Sequence, residues 1–185
     1  MRNSIALRRT ATATAFMAAV LAGTAVMPVR AQELADDLAQ AREALATAWS
    51  QAPLSFTTAT FTTGPARGFG DYTPRADAAF AADEPINVYA EPVAFGYGDQ
   101  DGLVSVALVV GFELRNTTGQ ILASNSDFAR LTAKTRHPVR EFPASLSYRF
   151  DGLTAGDYVL VTHFDDANSD KSASFSLPFS VKAAQ

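Results

Sequence analysis

The chain of 185 residues contains no cysteine. No disulfide framework can brace it, so whatever stability it has comes from a packed core. It has three methionines, Met1, Met17 and Met27, all within the first 27 residues. The rest of the chain therefore offers no soft sulfur ligand, which argues against a copper(I) carrier. Basic residues are also scarce, at 15 against 19 acidic. Four of the arginines (Arg2, Arg8, Arg9, Arg30) sit before residue 32, and without them 11 basic residues face 19 acidic ones, a formal −8. Sequence-independent binding to nucleic acid or anionic lipid needs a basic face, and this chain lacks the charge for one.

The first residues explain where those arginines go. Arg2, Arg8 and Arg9 form a basic start, Ala11 to Met27 form an apolar run, and Val29-Arg30-Ala31 places small residues at −3 and −1 of a cleavage site. This is the layout of a secretory signal peptide over 1–31, cut near Ala31. The run falls short of the ~20 apolar residues that a membrane span needs, so no stable insertion is expected after cleavage. Arg8-Arg9 raises the twin-arginine route, but "TATAT" follows the pair without bulky apolar residues, which favours the general secretory route. The expected location is periplasmic or secreted, and the remaining 154 residues suffice for one domain.

Residues 32–53 form the second segment. Leu34, Leu38, Ala41, Leu45, Ala48 and Trp49 recur at helical spacing over 33–51. Glu33, Asp36 and Asp37 suit the helix N-terminus, and Pro53 ends the run. The apolar stripe must cover something: it packs on the following domain, or it docks a partner helix or a second copy.

From 54 to 185 the period changes to two. Strands are expected at 53–63, 86–97, 103–115, 120–134, 141–150, 158–164 and 172–181, with turn residues between them. In the third, Val104, Val106, Leu108, Val110, Phe112 and Leu114 share one face. Phe142, Ala144, Leu146, Tyr148 and Phe150 share a face of the fifth. The fold class expected is mainly β, a seven-stranded antiparallel sandwich preceded by one amphipathic helix. A loop at 64–85, "GPARGFGDYTPRADAAFAADEP", interrupts the pattern, and loops of that length are usually functional or mobile.

"DGLTAGDYVLVTHF" carries a resemblance. Leu153, Gly156 and Tyr158 resemble the Leu-x-x-Gly-x-Tyr element that enters strand F of fibronectin type III and other immunoglobulin-like sandwiches, where the tyrosine hydroxyl bonds back to the chain just upstream. The final hairpin, "DDANSDKSASFSLPFSV", is similar to the last hairpin of many exported bacterial sandwich domains, with Asp170 in the place of a glycine. The resemblance covers roughly 80–182 and implies the fold. Most such domains are modules for interaction or adhesion, and no catalytic residue is carried over.

Candidate chemistry is thin. Asp166, Asn168 and Asp170 fit positions 1, 3 and 5 of an EF-hand calcium loop. Position 6 is Lys171 instead of glycine, and position 12 is Leu177 instead of glutamate. The stretch reads as a hairpin turn, with a non-EF calcium site using Asp165 as its alternative. His137 and His163 have no third ligand at a clear spacing, so no metal site and no cofactor is expected. Asn116-Thr117-Thr118 is a glycosylation acceptor pattern that also reads as a hairpin turn before Gly119. The segment after residue 31 has no Gly-x-Ser-x-Gly or Ser-x-x-Lys, and adjacent carboxylates such as Asp36-Asp37 point apart. An enzyme is not expected.

Recognition is placed on the loop. Arg67, Phe69, Tyr72 and Arg75 are residue types that anchor interfaces; alternatively Phe69 and Tyr72 fold back over one end of the sandwich. The function expected is a non-catalytic, exported module that binds another envelope protein. The competing class is a small-ligand or calcium-binding accessory protein using the acidic loops 99–101 and 165–170.

Overall fold

The computed structural model describes residues 35–183. The expected signal peptide at 1–31 lies outside the described residues, as do Glu33 and Leu34 of the expected helix.

Among the described residues there are one helix and nine strands, so the chain is mainly β. The helix, α1, runs over Asp36–Gln51. Asp36 and Asp37 in its first turn favour the positive end of the helix dipole. It stops at Ala52, whose ψ of 147 is the extended geometry that Pro53 imposes on its predecessor. No helix among the described residues is long and apolar enough to cross a membrane.

The strands are β1 (Ser55–Thr62), β2 (Ala79–Phe80), β3 (Ile86–Val93), β4 (Gly98–Gln100), β5 (Leu103–Asn116), β6 (Ile121–Thr135), β7 (Ala144–Tyr148), β8 (Gly156–Asp166) and β9 (Ser172–Val181). One sheet has the order β1-β3-β7, all antiparallel. In the other, β2, β9, β8 and β5 follow in order. Val104 of β5 pairs with both Asp99 and Thr135, while Leu108 pairs with both Asp166 and Leu131. A strand has two edges, so β6 lines one edge of β5 while β4 and β8 share the other.

Alternation along the strands builds the core, because successive side chains point to opposite faces. On β5, Val106, Leu108, Val110 and Leu114 are buried, and on β7 Ala144, Leu146 and Tyr148 are buried between exposed Ser145 and Ser147. Ile86, Val88, Leu146 and Tyr148 of the smaller sheet form one cluster with Leu108, Leu160, Phe164 and Phe179 of the larger. Burying each large apolar side chain contributes roughly 1.5–3 kcal/mol.

Two features depart from the sequence expectation. The strands number nine rather than seven, and β2 pairs with β9 in parallel, through Ala79↔Ser180 and Phe80↔Val181. Phe80 explains the second departure. It is 1% exposed and packs edge-on against Phe61 and Phe179, so one aromatic anchor pulls the middle of the long loop onto the sheet edge. The extra strand β4 comes from "GDQDG", which the sequence pattern reads as turn alone.

Gly111 marks an irregularity on the other edge. Between Val110↔Ala129 and Phe112↔Asn125, β5 advances two residues while β6 advances four. The bulge brings β6 backbone so close that a Cβ on Gly111 would stand 3.0 Å from Asn125 O and from Ser126 Cα.

Candidate functional site

The four loop residues do not form one site. Arg67 stays outside, paired among the described residues with Asp71 alone (Nη2 to Oδ1, 2.7 Å), and Phe69 is 41% exposed. Tyr72 turns inward and stacks on Tyr89, with ring centroids 4.0 Å apart. The Tyr89 hydroxyl donates to Glu91 Oε1 (2.8 Å) and accepts the Gly70 N–H (2.7 Å), which ties the loop to β3. Burial, aided by the Glu91 carboxylate and opposed by the Gly70 N–H, pushes the Tyr89 hydroxyl up to about 12.

Arg75 is a clasp. Its Nη1 meets Glu84 Oε1 at 2.7 Å, its Nη2 donates to Ala79 O at 2.8 Å, and its guanidinium lies 4.1 Å from the Phe80 ring centre. Burial alone would raise the Glu84 pKa, but the Ala81 N–H and the Arg75 guanidinium outweigh it and hold the carboxyl below its ordinary value. The stretch from Gly70 to Glu84 is therefore knitted into the body, and Arg67 and Phe69 remain outside.

The calcium-like stretch is a turn. Asp166 is 4% exposed; its Oδ2 accepts from the Gly96 N–H and the Ser169 hydroxyl, and its Oδ1 from the Asn168 N–H. The Asn168 amide donates to Ser105 O at 3.1 Å. Oδ2 thus pins Gly96 to the β8–β9 hairpin, while Oδ1 closes the hairpin turn itself. Lys171, where an EF-hand would need glycine, has a role that no local residue pattern announces. Its ammonium donates to Ser50 O (2.9 Å) and Ala94 O (2.8 Å), and it lies 3.4 Å from Trp49 O. A cation on the last carbonyls of α1 complements the negative end of the dipole.

Lys171 is one of two bolts that hold the helix. Trp49 Nε1 donates to Phe95 O at 2.8 Å, and its ring meets Phe95 edge-on at 5.1 Å. Arg140 covers the ring from 5.7 Å. Trp49, Phe95, Tyr97, Pro138, Arg140 and Lys171 line a mostly apolar cleft of about 360 Å³ at this junction. N-terminal to the junction the body approaches the helix only loosely, with His137, Pro138 and Arg140 beside Arg42, Glu43 and Ala46; no α1 residue is buried, and Leu38 and Leu45 are 50% and 47% exposed.

A second concavity, of about 610 Å³, lies on the outer face of the larger sheet beside the β6 bulge, lined by Glu113, Ser124, Asn125, Ser126, His163 and Asp165. His163 Nε2 faces Glu113 Oε1 at 3.7 Å, and Glu113 also accepts from Arg115 Nε at 2.8 Å. His137 is exposed in the β6–β7 connection. Among the described residues, no three His, Cys, Asp or Glu side chains are grouped to hold a metal ion. The Tyr158 hydroxyl donates to Thr154 O at 2.9 Å, four residues upstream.

The chain matches no family profile and no curated protein.

Proposed function

We propose that this chain is an exported, non-catalytic interaction module of the cell envelope, in which an immunoglobulin-like sandwich is the rigid carrier and α1 the recognition element. One observation carries it: the Leu38–Leu45 stripe of α1 is solvent-exposed, while the C-terminal end of the same helix is fixed to the body by Trp49 and Lys171. An apolar helix face held out on a rigid mount is the form in which helix-in-groove and helix-pairing contacts are made. The carrier reading is supported by strand order. Taking β1, β3 and β7 as strands A, B and E leaves β5, β8 and β9 as C, F and G, and the Tyr158–Thr154 bond then falls where a tyrosine corner belongs.

Calcium binding is the weaker reading, because a cation at Asp166 would have to displace three donors already on its oxygens. Catalysis has no part in the proposal: Ser124, Ser126 and His163 share a groove, but His163 Nε2 faces a carboxylate instead of a hydroxyl.

The test is a photo-crosslinking amino acid placed at Leu38 in the living host. A protein adduct is expected in the envelope fraction, on a chain whose first residue is Gln32. A chain that stays in the cytoplasm, or one that gives no protein adduct from Leu38, would overturn the proposal.

A further inference from the structure

We infer that the surface recognised by α1 is α1 of a second copy, paired in parallel along Leu38, Ala41, Leu45 and Ala48. The inference rests on the proposed role of α1 and names its partner. At roughly 100° per residue these four positions fall within an arc of about 80° and occupy alternating three- and four-residue steps, the seam of a two-stranded coiled coil. The body does not cover this arc. The segment that lies beside the helix, His137, Pro138 and Arg140, approaches it on the side of Arg42, Glu43 and Ala46.

Charge selects both the occupant and its direction. Asp37 borders the seam on one flank and Arg42 on the other, with Arg140 and His137 adding to the Arg42 side. Asp37 and Arg42 are five residues apart, so they point away from each other on one helix and cannot pair there. Arg42 forms no ion pair among the described residues. In a parallel pair, a residue bordering the seam on one helix meets the residue five positions later on the other, which sets Asp37 against the partner's Arg42 twice by symmetry. An antiparallel pair would set the basic flanks together and the acidic flanks together. The small side chain of Ala41 allows the two backbones to come close between the leucine layers, and Ala48 does the same beyond Leu45.

Two heptads cover less than the ~1,200 Å² of a standard interface, so the association is concentration-dependent instead of obligate. The experiment is sedimentation of the chain, expressed from its full coding sequence, across roughly 1 to 200 μM, a span that brackets a micromolar dissociation constant. The expected mass rises from one chain to two. Leu45→Glu keeps the mass at one chain throughout, and because Leu45 is exposed its melting curve stays that of the parent. Asp37→Arg and Arg42→Asp each lose the dimer, and the double variant regains it.

A chain that stays monomeric at every concentration overturns the inference, as does a dimer indifferent to Leu45→Glu or a double variant that fails to recover. The Leu38 crosslink separates this failure from failure of the proposed function. An adduct to a different protein, with a monomer in sedimentation, leaves α1 as the recognition element and removes only the second copy. No adduct and no dimer removes both.

Discussion

Two segments of this chain carry residues suited to recognition, and the fold treats them in opposite ways. The 64–85 loop holds Arg67, Phe69, Tyr72 and Arg75 in an irregular stretch of chain, yet two of the four are drawn into the body. Helix α1 has a regular apolar stripe, yet of its large members only Trp49 docks on the body while Leu38 and Leu45 stay exposed. The difference lies in complementary partners. Tyr72 finds Tyr89 and Arg75 finds Glu84, whereas the surface beside α1 offers the cleft at Phe95 and Tyr97 and a shallower hollow at His137 and Pro138 facing Arg42 and Ala46. Among the described residues neither surface covers Leu38 or Leu45, which stay about half exposed. A stripe is covered only where the neighbouring surface matches it, and the stripe alone does not say whether it does.

The sharpest way to break the comparison is to release the loop. Arg75→Ala removes a partly buried ion pair, a bond to Ala79 O and the cover over Phe80. Charge-assisted bonds of this kind contribute about 2–3 kcal/mol. The melting temperature should fall accordingly, and protease should cut within 64–85. The acid side of the stability curve should change with it. Glu84 has a depressed pKa, so its contribution is present above the ordinary carboxylate range and is lost as pH falls through the depressed value. Arg75→Ala should shrink that acid-dependent part. A variant as stable as the parent would mean that the loop is not clasped.

Next is Trp49→Ala. The side chain is half-buried, so we expect about 2 kcal/mol, below the range for a fully buried tryptophan. The more telling readout is far-UV circular dichroism. A 16-residue helix is marginal in isolation, so loss of its anchor should reduce the helical signal well before the sheets melt. Leu38→Ser should do neither, because Leu38 touches water. If Leu38→Ser destabilises the fold as much as Trp49→Ala does, the helix lies along the body and the contrast between the two segments disappears.

These two residues also show what could be read from sequence. The period-two runs located seven of the nine strands, because burial on one face writes itself into alternation, and Val106, Leu108, Val110 and Leu114 are buried as the pattern requires. Trp49 could be seen as part of a stripe, but not as the one member that docks. Docking depends on Phe95 O and Lys171, 46 and 122 residues further on, and no local pattern encodes those distances. Lys171 was legible only as the wrong residue for a calcium loop. The short β2 was hidden for a related reason: a two-residue strand has no period, and only Phe80 meeting Phe61 and Phe179 makes it one.

A smaller effect tests how firmly the inner half of the loop is held. Tyr89 sits under Tyr72 with its hydroxyl pushed up from 10.0 to about 12, first by burial and then by Glu91. Tyr148 is also pushed up to about 12, by burial in the core. A raised pKa favours the neutral hydroxyl in the folded chain. The stability that each group contributes is therefore complete below the unfolded value near 10 and declines as pH rises toward 12. In a spectrophotometric titration, Tyr89 and Tyr148 should remain largely unionised at pH 11, and Tyr97, which burial also raises, should ionise late. Arg75→Ala should release Tyr89 toward its ordinary value while leaving Tyr148 unchanged, if the loop is what seals Tyr89. Tyr89 ionising near 10 in the parent while Tyr148 stays raised would show that the loop opens freely.

The smallest effect concerns the part of the loop that resembles α1 in being exposed. Among the described residues Arg67 pairs with Asp71 alone, at the surface, and Phe69 is exposed. Exposed ion pairs contribute little because water and salt screen them and long side chains lose entropy in holding them. Arg67→Ala and Phe69→Ser should leave the melting temperature unchanged within error. Stability thus cannot tell these residues from Leu38 and Leu45, and only association can. If both kinds of exposure were incidental, neither set of variants would alter the sedimenting mass. If α1 alone recognises, Leu45→Glu changes the mass while Arg67→Ala and Phe69→Ser do not. A loss of association from Phe69→Ser would place the interface on the loop tip and return recognition to the segment where residue type alone had located it.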